Sequence, residues 1–211
     1  GMMLVGLAFK LSMVPFHLWT PDVYEGAPVP VAAFLASASK VAVFAVLLRL
    51  YLQSPAMAGG WLENLLALFA IGSILIGNLL ALTQSNLKRL LAYSSVENMG
   101  LMVMGLGTGL IGQSCGNAWI AVLGFSGALL HMLNHSAFKG LLFLCAGEVL
   151  HATGTVRMEL LGGLQKRLPL LGAAFALGAA AIACLPPLNG FAGELVLALS
   201  LLDGPALPGL E

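Results

Sequence analysis

Three lysines interrupt stretches that are otherwise apolar: Lys10 in GLAFKLSMVPFHLW, Lys40 in VAAFLASASKVAVFAVLLRLY and Lys139 in HMLNHSAFK. An ammonium at bilayer depth costs about 2.5 to 3.5 kcal/mol on insertion scales, so it persists where it faces a polar interior and pairs with, or moves, another charge. His131, His135 and Lys139 recur at every fourth residue and therefore share one helix face. Over two turns, roughly 12 Å of helix, they form a stripe suited to handing protons along through intervening water. Imidazole titrates near neutral pH and donates on one nitrogen while accepting on the other. The proton occupancy of a buried amine follows the charge of its neighbours. Two carboxylates belong to the same chemistry, Glu97 in LLAYSSVENMGLMVMGLG and Glu194 in ACLPPLNGFAGELVL. Unit charges 4 Å apart are coupled by about 4 kcal/mol where the effective dielectric constant is about 20. Glu194 reads as the far-end member of the stripe. Glu97 reads either as a partner for a lysine or as an interfacial acid. His17, two turns after Lys10, reads as a carrier from Lys10 toward Lys40 or as an interfacial histidine.

The elements that must position these groups are membrane helices. The chain has 211 residues, of which 59% are hydrophobic and 9% charged, with a mean hydropathy of +0.97. Several apolar runs exceed the ~18 residues that mark a spanning segment, which makes the chain a polytopic membrane protein. Only helices or closed barrels satisfy the backbone in lipid, and no strand alternation supports a barrel, so the fold is all-α. About six transmembrane helices are expected, at residues 1 to 19, 28 to 51, 62 to 83, 89 to 108, 117 to 149 and 169 to 201. TPDVYEGAPVP, QSPAMAGG, TQSNLKR, GTGLIGQSCGN and HATGTVRMELLGGLQKRLP make the joints, the last including a short interfacial helix.

Two of the six carry a matching irregularity. Pro15 follows Lys10, and Pro186, Pro187 and Gly190 precede Glu194. Proline removes an amide donor and glycine loosens the helix, so both helices are expected to break within the membrane. Unwound backbone at membrane depth is tolerated only where it lines protein or water, and such breaks in two halves of a chain point to a transport pathway; the bland alternative is a packing kink. Loops after the first, third and fifth segments carry Lys88, Arg89, Arg157, Lys166 and Arg167, against Arg49 alone on the other side. Read as topological anchors, these place that side in the cytoplasm.

Composition also excludes. Nine basic and nine acidic residues give no net charge, hence no nucleic-acid surface, and partners are expected within the membrane and its lipids. Cys115, Cys145 and Cys184 lack metal-ligand spacing and read as small hydrophobes. No dinucleotide fingerprint, flavin site or iron–sulfur cysteine set is present, so cofactors are expected in partner subunits rather than in this chain. The N-terminus opens inside an apolar helix without a signal peptide, as in a fragment of a longer bundle. One alternative from another class is an intramembrane serine protease, read from the GxSG string Gly124, Phe125, Ser126 and Gly127. A metal site at HMLNH and a passive scaffold of charges are further alternatives.

FKLSMVPFHLWTPDVYEGAPVPVAAFLASASK and QSNLKRLLAYSS resemble the central region of the antiporter-like subunits of respiratory complex I, above all its N-type members. SVENMG, HMLNHSAFKGLLFLCAGEVLHATGT and LPPLNGFAGE resemble the related large membrane subunits of formate-hydrogenlyase-type complexes and Mrp-type cation antiporters. The resemblance covers essentially the whole chain. It implies a single transmembrane domain over residues 1–211, corresponding to the seventh to twelfth helices of an inverted-repeat antiporter-like bundle. It implies that Lys10 lies beside the first broken helix, that Lys40 belongs to the next helix, and that Lys139 with His131 and His135 forms the central relay. Glu194 falls at the terminal lysine-or-glutamate position, where glutamate agrees with the hydrogenase-like and M-type relatives. The glutamate that pairs with Lys10 in the family belongs to a fifth helix that lies before this chain begins. The implied function is proton translocation in the bacterial inner membrane as a subunit of a redox-driven complex of the NADH:quinone oxidoreductase type. NADH, FMN, iron–sulfur clusters and quinone would then be held by partner subunits. An Mrp-type Na⁺/H⁺ antiporter or a membrane-bound hydrogenase subunit is the implied alternative.

Overall fold

A left-handed residue and a proline cut the first apolar segment into two helices, α1 (Met2–Leu11) and α2 (Trp19–Gly26). Ser12 adopts φ 64°, and its amide and that of Met13 turn back onto Phe9 O and Ala8 O at 3.0 and 2.9 Å. This closes off the last carbonyls of α1 as a left-handed cap does. Val14 N then donates to Ser73 Oγ at 3.0 Å, so the unwound stretch is held from a neighbouring helix. The computed structural model that shows this describes residues 2–53 and 60–202.

Helix α2 corrects the expectation of a joint at TPDVYEG. Pro21 lies in the first turn, where helical amides have no intrahelical acceptor to lose, and Asp22 complements the positive helix end. Tyr24 is fully buried and meets the Phe143 ring edge-on at 5.4 Å, which pins the helix to the bundle.

The second segment also differs from a single rod. It forms α3 (Val29–Ala36) and α4 (Ala38–Gln53), separated at Ser37, whose hydroxyl donates to Ala33 O at 2.6 Å. The Ser-rich run before Lys40 competes for backbone acceptors in this way. Next come α5 (Gly60–Leu82), α6 (Leu87–Ser114) and α7 (Ala118–Thr153). The expected joint QSPAMAGG falls largely at residues 54–59, outside the described residues.

The stretch GTGLIGQSCGN, read as a turn, is helical as far as Ser114. Its glycines serve packing instead: a β-carbon at Gly109 would stand 2.7 Å from the Phe125 ring, and one at Gly124 would overlap the Gly109 amide. Membrane helices gain from such backbone approach, because lipid supplies no hydrophobic drive for helix–helix association. The side chains of Asn86 and Asn117 cap α6 and α7 by accepting from Lys88 N at 2.9 Å and Trp119 N at 3.1 Å. Lys88 and Arg89 therefore belong to the first turn of α6 rather than to a loop.

After a 3-10 turn at Met158–Leu160 and the short α8 (Leu164–Arg167), the last segment breaks as expected into α9 (Pro169–Ile182) and α10 (Asn189–Leu202). Helices α6 and α7 form the centre, with α5 packed on one side and α10 on the other. Among the described residues, three stretches are long and apolar enough to cross a membrane unaided: Val29–Gln53, Trp61–Leu82 and Ala118–Thr153.

Candidate functional site

Two lysines reach the centre of the bundle from different helices. Lys40 on α4 is 1% exposed, and its Nζ donates to the carbonyl of Leu11, the last residue of α1, at 2.9 Å. The final carbonyls of a helix lack intrahelical partners and carry partial negative charge, so an ammonium there is well placed. Lys139 on α7 is fully buried and donates to Leu91 O on α6 at 2.7 Å and to Ser94 Oγ. Among the described residues, neither amine has a carboxylate within salt-bridge distance; the ion pairs found involve Arg89.

Close to both is His135, wholly buried, with neither ring nitrogen bonded to protein among the described residues. It interacts electrostatically with Lys139, Lys40 and His131. The expected face of His131, His135 and Lys139 is thus turned entirely inward. His131 reaches Asn98 Oδ1 on α6 through Nε2 at 3.0 Å. Asn98 in turn donates through Nδ2 to Glu97 Oε2 at 2.5 Å and to Ser94 O at 2.9 Å. Half-buried Glu97 lies in the attractive field of Lys139 and the repulsive field of Glu194.

The second break is bound to the same helix. Asn134, one residue before His135, donates to Asn189 O at 2.7 Å and accepts from Asn189 Nδ2 at 3.4 Å. Gly193 of α10 lies so close to α7 that a β-carbon there would stand 2.9 Å from His131 Nδ1. Glu194, next in sequence, is half-buried.

The remaining expected groups gather at the first break. His17 is 5% exposed and its ring meets that of Tyr93 at 6.5 Å. Lys10 is exposed on α1 and does not join the buried set. Lys88, read as a topological anchor, is 4% exposed; its Nζ donates to Glu25 O and Ala27 O, each at 3.1 Å, and so closes the end of α2. Arg89 pairs with Asp22 at 2.7 Å and with Glu25 at 2.9 Å.

Ser126 overturns the protease reading. It is exposed, its hydroxyl bonds Leu123 O of its own helix at 3.4 Å, and His131 is engaged with Asn98. Among the described residues, Ser126 has no histidine base as a partner. The groups missed by sequence reasoning are neutral: Ser94, Asn98, Asn134 and Asn189. Their signal was polar side chains within a few residues of ionisable ones in otherwise apolar helices.

The chain matches the family described as NADH:quinone oxidoreductase/Mrp antiporter, transmembrane, over residues 1–204. It is 76% identical over 106 residues to NADH-quinone oxidoreductase subunit N of Ectopseudomonas mendocina, covering 50% of this chain and 22% of that protein. It is 40% identical over 202 residues to subunit N of Heliobacterium modesticaldum, covering 95% of this chain and 40% of the relative. Among solved structures, it is similar to a chain of respiratory complex I from Thermus thermophilus with bound aureothin, with TM-score 0.75, 36% identity, and 99% and 43% of the two chains covered. It is also similar to a chain of the archaeal membrane-bound sulfane sulfur reductase, with TM-score 0.80, 30% identity, and 96% and 39% covered. A chain of the Mrp complex from Dietzia matches with TM-score 0.80, 26% identity, and 95% and 35% covered. The chain spans less than half the length of each of these relatives.

Proposed function

The chain belongs to the NADH:quinone oxidoreductase/Mrp antiporter transmembrane family, and on that premise we propose that it carries part of the proton path of a redox-driven respiratory membrane complex. The observation that carries this reading is the pair of buried amines, Lys40 and Lys139, held by neutral oxygen acceptors, with buried His135 in the field of both. An amine bonded to carbonyls and a hydroxyl can give up or take a proton without an ion pair being broken. The ring nitrogens of His135, which have no protein partner among the described residues, are sites where water can complete the hydrogen bonding and bridge one titratable group to the next.

The path runs from the first break, with Lys10 and His17, through Lys40, His135 and Lys139 to Glu97, His131 and Glu194 at the second. Lys10 stands on an exposed face of α1, where a carboxylate of another helix of the full protein would meet it. The chain corresponds to the seventh to twelfth helices of the family, with α1/α2 and α9/α10 each crossing as two halves. It lies in the bacterial inner membrane with the loops after its first, third and fifth segments on the cytoplasmic side. Its partners are other membrane subunits, and NADH, FMN, iron–sulfur clusters and quinone belong to the redox subunits of the assembly.

The test is Lys139→Met in the full-length protein within its assembled complex, reconstituted in vesicles. Proton uptake per electron transferred should fall severalfold while assembly is preserved; an unchanged ratio would sink the reading. The second reading, cation/proton antiport, is favoured by the Mrp likeness. It requires translocation to depend on sodium in the same vesicles.

A further inference from the structure

Asn98 has two distinct ends, and the backbone decides which way they face. Its Nδ2 lies 2.9 Å from the carbonyl oxygen of Ser94 and 2.5 Å from Glu97 Oε2, and its Oδ1 lies 3.0 Å from His131 Nε2. A backbone carbonyl only accepts, so the nitrogen of the amide must face Ser94 whatever the charge of Glu97. A flipped amide would set two acceptor oxygens against each other. Oδ1 is therefore fixed toward His131, and an amide oxygen also only accepts. The proton of the neutral imidazole is thereby placed on Nε2, because the tautomer of a histidine follows the hydrogen bond that one nitrogen makes.

The other nitrogen then carries a lone pair. His131 Nδ1 is buried, has no protein partner among the described residues, and faces Gly193, where a β-carbon would stand 2.9 Å away. Gly193 directly precedes Glu194 in α10. The nitrogen that can accept a proton thus lies on the α10 side, packed against Gly193, and the side that already bears one is closed by an amide.

Deepening the proton-path reading and resting on it, we infer that Asn98 is a positioning residue that fixes the neutral His131 ring as its Nε2–H tautomer and leaves Nδ1, on the α10 side, as the nitrogen that takes up and releases a proton. A proton accepted at Nδ1 gives an imidazolium whose Nε2–H stays on Asn98. The amide oxygen cannot take that proton onward, since its own NH₂ group is committed to Ser94 O, so the proton returns by the nitrogen it entered. On α6, Glu97 senses the stored charge through the Asn98 amide. Lys139 reaches Ser94 and Leu91 and makes no hydrogen bond to His131.

The test uses the full-length protein in its assembled complex with ¹⁵N-labelled histidine rings, with His131→Gln subtracted to assign the signal. The inference expects Nε2 protonated and Nδ1 unprotonated in the neutral ring; the opposite tautomer overturns it. Asn98→Leu should mix the two tautomers and lower protons moved per electron severalfold. If Asn98→Leu translocates normally where Lys139→Met does not, the inference fails and the path stands. If neither variant changes translocation, the path itself fails.

Discussion

The two breaks, Ser12 to Leu18 and Ala183 to Leu188, use the same backbone device and surround it with different chemistry. In each, a left-handed residue ends the first half-helix, Ser12 at φ 64° and Cys184 at φ 54°. In each, the next residue's amide bonds back five positions, Met13 to Ala8 at 2.9 Å and Leu185 to Ala180 at 3.1 Å. In each, a proline stands three residues after the left-handed one. The acids also correspond, for Asp22 and Glu194 both lie seven residues beyond Pro15 and Pro187. The surroundings then diverge. The first break is closed by the ammonium of Lys40 on Leu11 O, and its acid, Asp22, is 71% exposed in an ion pair with Arg89. The second is closed by the neutral amide pair of Asn134 and Asn189, and its acid, Glu194, is half-buried. The backbone supplies an interruption twice; the side chains decide that one is closed by a buried amine and the other by neutral amides.

That contrast can be broken from the second side. A β-carbon at Gly190 would overlap the Ala181 carbonyl oxygen, so Gly190→Ala must push α9 and α10 apart. It should destabilise the full-length protein by about 1–3 kcal/mol, seen as an earlier thermal transition in detergent. Asn134→Ala removes only the amide pair and takes the side-chain donor from Asn189 O. Its cost should be about 1 kcal/mol, and protection of the α10 amides from hydrogen exchange should fall with no matching loss in α2. Asp22→Asn, at the opposite break, takes one arm from an exposed ion pair. It should cost no more than about 1 kcal/mol and lose its effect in high salt. A larger, salt-independent cost would show that Asp22 has a buried role like that of Glu194.

Much of this architecture was legible before the coordinates. Hydropathy marked the membrane helices, the prolines marked both breaks, and the four-residue spacing of His131, His135 and Lys139 gave a face that is fully buried. The errors arose where tertiary packing overrode local signals. TPDVYEG reads as a turn from Pro21 and Gly26 but is helical because Tyr24 docks on Phe143 and Lys88 closes its end. GTGLIGQ reads as a loop from its glycines, which instead let α7 approach. Lys88 reads as an anchor because charge alone does not reveal two carbonyls waiting for it. Asn98 and Asn134 carry no charge to flag them, and their importance lies in which atom each end of the amide meets.

The most direct test of the account is Lys40→Met in the full-length protein, assembled with its partners in sealed vesicles, with proton movement and electron transfer recorded together. The account predicts normal assembly and a severalfold loss of protons moved per electron, because the charge that closes the first break is gone. Proton movement equal to that of the unaltered complex would contradict it and reduce Lys40 to a helix cap.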